Sequence, residues 1–290
     1  MAEFSTRLET YYRLTKPGII YGNLVTASAG FLLASQDHLY FLLLFEVLAG
    51  MSLVIASACV FNNYIDRGID QKMDRTSKRA LVIGQISGHA ALVYASLLGT
   101  AGFLILAFFT NWLVFGIGLI SIFFYVVLYG LAKRHSVHGT LVGSVPGATP
   151  PVAGYLAVTD HLDGAAVILF LTLVLWQMPH FYAIAMYRYK DYKAAGLPVL
   201  PVKLGMKAAK RQIMAYIVAF TAVATLLTVF GYTGYIYLAA ALALGIYWLW
   251  RGYSSYNVLS DERWGRRMFF SSLIVTLGIS VAIALGALLP

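Results

Sequence analysis

Residues 61–79 read FNNYIDRGIDQKMDRTSKR and carry the strongest pattern in this chain. Oxygen-bearing side chains recur there every four residues, at Asn62, Asp66, Asp70 and Asp74. Residues four apart share one face of a helix, so a helix that continues out of an apolar segment would carry these four as a ladder. Like charges at this spacing repel each other, and a hard divalent cation such as Mg²⁺ held between them is the simplest explanation.

Basic side chains are interleaved with this ladder, at Arg67, Lys72, Arg75, Lys78 and Arg79. Such a density of cations suits a diphosphate, whose oxygens accept charge-assisted hydrogen bonds. The alternative is that these residues are ordinary topology determinants that the neighbouring acids neutralise. Because the acids stand where the chain leaves an apolar segment, we expect them to be exposed and to contribute little to the core.

The composition of the whole chain indicates a membrane protein. Of its 290 residues, 60% are hydrophobic and only 11% are charged, too few for a water-facing shell. The formal net charge of +9 would suggest nucleic acid in a soluble protein. In a bilayer it indicates topology signals and anionic partners, and no nucleic acid.

The apolar runs predict an all-α integral membrane protein. A span needs about 20 apolar residues, and about nine such runs occur. They start near Ile19, Phe41, Ala90, Trp112, Thr140, Ala165, Ala208, Thr233 and Met268. All 21 Lys and Arg residues then fall in alternate connections, on one side of the membrane. The positive-inside rule puts the N-terminus and the long loops in the cytoplasm and Pro290 outside, with Asp37, Asp160 and Asp163 in short outer turns.

A second candidate region follows the sixth predicted span. Asp191 there emerges on the same side as Asp66, so two acidic patches can close over one substrate. Within the span, Pro179 is expected to kink the helix, and the neighbouring His180 could ligate an iron, move protons or be structural. The prolines in residues 146–151 predict a broken or wide-angled fifth span.

Between the two acidic patches, the fourth span ends in aromatic and basic residues. Tyr125 lies in the span, and Lys133 and Arg134 follow at its end. This basic cluster could hold a phosphate or the propionates of a porphyrin, and a plain basic loop is an equal alternative.

These motifs resemble those of the intramembrane prenyltransferases of the quinone-biosynthesis type, over nearly the whole chain from Leu14 onward. Asn62, Asp66 and Asp70 match the NxxxDxxxD motif of that superfamily, and Tyr187 with Asp191 matches the start of its second acidic motif. The run WQMPH at 176–180 and the run AGLPVLP at 195–201 are similar to the protohaem IX farnesyltransferase branch.

The resemblance implies a single prenyltransferase domain over residues 1–290, with the spans around a central cavity open to the cytoplasm. It implies a Mg²⁺-dependent transfer of the farnesyl group of farnesyl diphosphate to protohaem IX, giving haem O. The implied setting is membrane lipid, in a bacterial inner membrane, with an association with haem-using oxidase assembly as a further expectation.

The same resemblance distributes roles among the residues. Asn62, Asp66, Asp70 and Asp191 would hold Mg²⁺ and activate the diphosphate, with Asp74 as a further ligand. Arg67, Lys72, Lys78, Arg79, Tyr125, Lys133, Arg134, His180 and Tyr187 would bind the substrates. One departure matters: where the quinone enzymes usually carry a further Asp, this chain has Ala195. A symmetrical two-metal site with paired acids is therefore not expected.

Two other functions stay open at the level of the sequence. A secondary transporter also has broken helices, but its polar groups lie near the midplane, whereas these acids cluster at one membrane boundary. An enzyme that prenylates a small aromatic acid, a quinone precursor, would need a different acceptor site, and spacing alone does not exclude it.

Overall fold

The computed structural model describes the backbone of residues 2–36 and 38–288, and side chains within 7–36 and 38–286. This part of the chain is helical, without strands. The helices are α1 Ala2–Leu14, α2 Pro17–Ala34, α3 Phe41–Asp70, α4 Gly88–Phe109, α5 Trp112–Phe123, α6 Tyr129–His135, α7 Gly139–Thr159, α8 Gly164–Tyr187, α9 Tyr189–Ala194, α10 Leu200–Leu204, α11 Met206–Val229, α12 Tyr235–Tyr253 and α13 Asp261–Leu288. A π-helical turn, Phe124–Leu128, joins α5 to α6 without a break.

Seven helical segments of the described chain are long and apolar enough to cross a membrane: α2, α3, α4, the continuous rod of α5 and α6, α8, α11 and α13. The helices α7 and α12 have 21 and 19 residues but are less apolar. The predicted count of nine spans is therefore not reached on this criterion.

Most predicted starts lie close to the observed ones, and α3 and α5 begin at the predicted Phe41 and Trp112. The last helix begins at Asp261, earlier than the predicted Met268, because two acids in its first turn suit the positive end of the helix dipole. Asp160 and Asp163 lie in the turn between α7 and α8, where Asp163 caps α8. Asp37 and Pro290 lie outside the described residues.

The prediction of a broken fifth span is wrong, because α7 continues through three prolines. Pro150 has no N–H to donate to the carbonyl oxygen of Pro146. The Thr149 hydroxyl donates to that oxygen instead, at 2.8 Å, and the Ser121 hydroxyl of α5 approaches it at 3.4 Å. Side chains thus replace the missing backbone bond, as happens where membrane helices carry proline. Pro179 likewise lies inside α8, which continues from Gly164 to Tyr187.

Glycines bring α2 and α7 into backbone contact. A Cβ atom on Gly30 would lie 1.9 Å from the carbonyl oxygen of Pro151, and one on Gly154 would lie 2.0 Å from that of Ala27. Small residues allow membrane helices to approach this closely. The contact seats α7 in the interior, between α2, α5 and α8.

The charged connections of the bundle meet at one end, which we call the basic end. Contacts there join the start of α2 to the end of α3, the end of α3 to the end of α6, and the end of α8 to the start of α13. Farther into the bundle, a narrow apolar cavity lies between α2, α7, α8, α11 and α13.

Candidate active site

The last three turns of α3 carry three oxygen-bearing side chains on one buried face, which we call the ladder. Asn62, Asp66 and Asp70 retain 5%, 8% and 3% of their exposure. Their spacing of four residues puts them on the same side of the helix. The ladder agrees with the sequence prediction, but the expected exposure of the acids is wrong, because the surrounding helices and loops cover this face.

Each of the three ladder residues contacts a basic side chain. The Lys133 ammonium donates to Asp66 Oδ2, and Arg134 Nη2 lies 3.5 Å from Asp66 Oδ1. Arg79 donates to Asp70 Oδ2 at 2.6 Å. Lys16 Nζ donates to Asn62 Oδ1 at 2.9 Å. Two of these cations come from α6, one from the connection after α3, and one from the turn before α2.

Lys16 is a site residue that the sequence analysis missed. It has a left-handed backbone, with φ 54° and ψ 64°, directly before Pro17. Non-glycine residues rarely adopt this conformation unless their surroundings hold them in it. Burial lowers the pKa of Lys16 to about 8, opposed in part by nearby acids. The signal in the sequence was a lone lysine before a proline, which also fits an ordinary topology determinant.

Asn63, beside the ladder, holds the turn that carries Lys16. Its amide nitrogen donates to the carbonyl oxygen of Leu14 at 2.8 Å, and its Oδ1 accepts from Arg79 at 3.3 Å. The turn before α2 and the connection after α3 are therefore tied to the same asparagine.

The ladder ends at Asp70, and the prediction that it continues through Asp74 is wrong. The helix stops at Asp70, so Asp74 lies in the following turns, with an exposed side chain. Lys72 and Lys78 are exposed in the same connection. Arg67 lies on α3 but on another face, because one residue turns the helix by about 100°. It stacks on Tyr64 at 4.2 Å and donates to the Tyr64 carbonyl.

The second acidic motif lies at the basic end, as predicted. Asp191 is half-buried in α9. Burial raises the pKa of the next residue, Tyr192, whereas the positive charges of Arg75 and Arg79 lower it. Tyr192 therefore lies near the connection after α3. Among the described residues, no three His, Cys, Asp or Glu side chains are close enough to hold one metal ion, so Asp191 does not close a shell with Asp66 and Asp70.

Tyr187, the other residue matched in this motif, lies between two cations. Arg188 stacks on its ring at 4.4 Å, and Arg266 of α13 stacks on it at 5.6 Å. The ring is half-buried. It joins the end of α8 to the start of α13.

Aromatic rings of the continuous rod of α5 and α6 lie next to the ladder. Tyr125, in the π-helical turn, stacks on Tyr129 with centroids 5.8 Å apart. Lys133 lies 4.9 Å from the Tyr129 ring while it pairs with Asp66. A π turn shifts the register of the residues that follow it, and such turns are frequent at functional sites.

The donor set of the ladder fits Mg²⁺. This ion takes oxygen ligands, and in proteins it is bound through one or two carboxylates, waters and the phosphates of a substrate. Asp66, Asp70 and the Asn62 carbonyl oxygen supply the protein part of such a set. The Asn62 Nδ2 atom is buried and has no hydrogen-bond partner among the described residues. An acceptor such as a diphosphate oxygen would satisfy it.

His180 lies on α8, about two turns before that helix ends at the basic end. Its Nδ1 is 2.7 Å from the hydroxyl of Ser272 on α13, and its ring stacks on Trp176 with centroids 4.7 Å apart. The indole nitrogen of Trp176 donates to the carbonyl oxygen of Ser272 at 2.9 Å. The structure thus fixes His180 between two helices, separate from the carboxylates.

Comparison with known proteins gives consistent relatives. A family model described as the UbiA prenyltransferase family matches residues 23–274. Proteins named protoheme IX farnesyltransferase from Klebsiella pneumoniae and Salmonella typhimurium are each 50% identical over 281 residues. These matches cover 97% of this chain and 95% of each relative.

Solved structures support the same fold at low sequence identity. A digeranylgeranylglyceryl phosphate synthase has a TM-score of 0.78 at 20% identity, covering 97% of this chain and 99% of the other. A UbiA homologue from Archaeoglobus fulgidus, bound to GPP and Mg²⁺, has a TM-score of 0.73 at 16% identity, covering 95% and 99%.

Proposed function

Since the chain belongs to the UbiA prenyltransferase family, we propose that it transfers the farnesyl group of farnesyl diphosphate to a vinyl group of protohaem IX, giving haem O and diphosphate. The observation that carries this proposal is the buried ladder, in which each of the three residues contacts a basic side chain. The chain that carries it is 50% identical in sequence to a protein named for this reaction.

Magnesium is the proposed cofactor. Asn62, Asp66 and Asp70 would hold it, and bound there it would neutralise the diphosphate and make it a better leaving group. The Archaeoglobus homologue, which binds GPP and Mg²⁺, supports this proposal. Asp191 lies at the same end on α9 and would add a ligand when the site closes, and Asp74 is the more remote candidate because it is exposed.

The cations of the ladder are the proposed diphosphate ligands. Lys133, Arg134 and Arg79 each hold a carboxylate, and Lys16 holds Asn62. When the diphosphate binds beside the ladder, these groups would exchange protein oxygens for phosphate oxygens. Arg67, Lys72 and Lys78 are more exposed and would act at the entrance.

The reaction needs a carbocation that is kept from water. The C1–O bond of the farnesyl group breaks, and its electron pair leaves with the diphosphate. The terminal vinyl carbon then bonds to C1, which leaves a positive charge on the other vinyl carbon, beside the macrocycle. Water adds to that carbon and loses a proton, so that a hydroxyl group remains there. The rings of Tyr125 and Tyr187 would stabilise the cation, and the apolar bundle limits its capture by bulk water.

The haem, which accepts the farnesyl group, is proposed to lie near His180. The basic cluster of Lys133 and Arg134, which the sequence offered as a partner for the haem propionates, is already paired with Asp66. The contacts of Lys133 and Arg134 with Asp66 support a role for both residues in binding the diphosphate rather than the propionates. His180 faces α13 within the bundle, between the rings of Trp176 and Phe269.

For the whole chain we propose one domain over residues 1–290, with nine spans around a cavity open to the cytoplasm. Its support is that α7 packs in the interior between α2, α5 and α8, and that α12 packs between α11 and α13. The basic loops favour a cytoplasmic N-terminus and an outer C-terminus. The enterobacterial relatives suggest the bacterial inner membrane. Association with haem-using oxidase assembly is a further proposal, which co-purification would test.

The decisive experiment incubates the purified protein with Mg²⁺, labelled farnesyl diphosphate and either haem or 4-hydroxybenzoate. We expect label in haem only. Label in the aromatic acid would indicate a quinone-precursor enzyme, and label in neither, with binding retained, would favour a transporter. Omission of Mg²⁺ should remove the transfer.

A further inference from the structure

The imidazole of His180 is held more firmly than a packing residue requires. Trp176 stacks on it with an interplanar angle of 24°, and Phe181 and Phe269 approach at centroid distances of 5.4 and 5.1 Å. Ser272, which contacts Nδ1, is completely buried on α13. Rings on three sides and one hydroxyl therefore fix both the position and the rotation of the imidazole.

The Ser272 hydroxyl fixes the tautomer as well. Its oxygen lies 2.6 Å from the carbonyl oxygen of Phe269. Two oxygens at this distance need a proton between them, and a hydroxyl has only one proton to donate. Ser272 therefore donates to Phe269 and accepts from His180. The proton of a neutral imidazole is then on Nδ1, and the lone pair is on Nε2.

Nε2 is the free nitrogen of this ring. It forms no hydrogen bond within residues 7–36 and 38–286, and the ring is half-buried. His180 shares its face of α8 with Leu173 and Trp176, and Ser272 shares its face of α13 with Thr276. Leu173, Trp176 and Thr276 line the apolar cavity at the centre of the bundle. His180 and Ser272 therefore lie one turn from residues that line this cavity, on the side nearer the basic end.

We propose that Ser272 is a positioning residue, which holds His180 in the Nδ1–H tautomer so that Nε2 coordinates the iron of the haem substrate. Histidines that bind metals almost always donate their other N–H to a fixed acceptor, which sets the ring orientation and raises the basicity of the ligating nitrogen. Here that acceptor is a buried hydroxyl. This inference rests on the proposed function, since it requires haem as the acceptor.

Coordination suits this nitrogen better than proton transfer. A proton taken up at Nε2 would put a positive charge between Trp176 and Phe269, and His180 has no ion-pair partner in the described part of the chain. An unpaired charge is costly in such surroundings. Binding to iron uses the same lone pair while the imidazole stays neutral.

The chain offers a matched pair of variants. Ser272→Ala removes the acceptor of the Nδ1–H bond but leaves the Ser272 carbonyl that Trp176 uses. Ser271→Ala is the control: its hydroxyl is equally buried on α13, donates to the Arg267 carbonyl at 3.0 Å, and faces Arg251 of α12. Ser272→Thr keeps the hydroxyl, and His180→Ala removes the ligand itself.

The test is an optical titration of each purified full-length variant with haem, together with KM values for haem and for farnesyl diphosphate. We expect Ser272→Ala to weaken haem binding by about 10-fold and to alter the axial-ligand bands, with KM changed for haem only. His180→Ala should lose those bands. Ser271→Ala and Ser272→Thr should resemble the parent protein.

Wild-type spectra and affinity in Ser272→Ala would overturn the inference, as would an equal loss in Ser271→Ala, which would indicate general damage to α13. Failure of the parent protein to transfer farnesyl to haem would instead overturn the proposed function. The two failures are distinguishable because one is read from binding spectra of the variants and the other from turnover of the parent protein.

Discussion

At the scale of single residues, the site is built from buried pairs of opposite charge. The side chains of Lys133 and Asp66 each retain 12% of their exposure, and that of Asp70 retains 4%. A buried pair is tolerated because each charge compensates the other, and removal of one partner leaves the other uncompensated. The ladder residues therefore contribute to stability, in addition to the role in the chemistry that we propose for them.

Asp66→Asn should abolish turnover and also destabilise the protein. The variant keeps the shape of the side chain but leaves Lys133 without its counter-charge, a loss of about 3 kcal/mol. The double variant Asp66→Asn with Lys133→Met should recover stability and remain inactive. Thermal unfolding in detergent and the farnesyl transfer assay measure the two effects separately. Full activity in Asp66→Asn would remove this acid from the proposed mechanism.

Two variants of Lys16 distinguish the role of its charge from the role of its left-handed backbone conformation. Lys16→Met should raise KM for farnesyl diphosphate about 10-fold through the loss of a charged hydrogen bond, worth about 1.5 kcal/mol. Lys16→Gly should show the same kinetic loss, although glycine adopts the left-handed conformation readily. The exposed Lys203 provides the control variant, Lys203→Met. If Lys16→Gly were fully active, the residue would serve only to hold the turn before α2.

At the scale of elements, the close contact of α2 with α7 depends on glycine. Gly30→Ala would push a methyl group into the backbone of Pro151 and should lower the melting temperature by several degrees. Gly22→Ala, on the same helix, meets nothing within 4 Å and should be neutral or slightly stabilising. Thermal unfolding of both variants tests the contact, and equal melting temperatures would contradict it.

Helical periodicity explains which parts of the site could be predicted from the sequence. The ladder follows from a spacing of four on one helix, which is local information. The end of that helix at Asp70 and the burial of the acids depend on other segments that cover the face, so the exposed ladder through Asp74 was wrong. The unbroken α7 depends on one hydroxyl from its own next turn and on another from α5. The number and positions of the prolines do not predict these hydrogen bonds.

At the scale of the whole molecule, a bundle of long apolar helices follows from composition, because few charges are available for a water-facing surface. The pairing of particular cations with particular acids does not follow from it. Lys16 and Asn62 are separated by 46 positions, and Lys133 and Asp66 by 67. Such contacts depend on how the helices pack, so the sequence predicted a shared end of the bundle for these residues but not which of them pair.

The proposed orientation can be tested by labelling from one side. Cys59 is buried and should not react with an impermeant maleimide, so cysteine can be introduced at exposed sites without replacing it. Lys203→Cys, at the basic end, should react only in inside-out vesicles. His161→Cys, in the turn between α7 and α8, should react only in right-side-out vesicles. The reverse labelling pattern would show that the chain has the opposite orientation in the membrane.

Under the proposed function, the ion pairs on the ladder would also make binding of the metal and binding of the diphosphate depend on each other. A divalent ion alone would meet carboxylates that are already neutralised, and a diphosphate alone would meet cations that already have partners. Only when both bind together would the separated charges be compensated again. By linkage, the factor by which one ligand strengthens binding of the other is mutual. The resting protein would therefore bind either ion weakly by itself, and departure of one would weaken binding of the other, which would favour release of the diphosphate product.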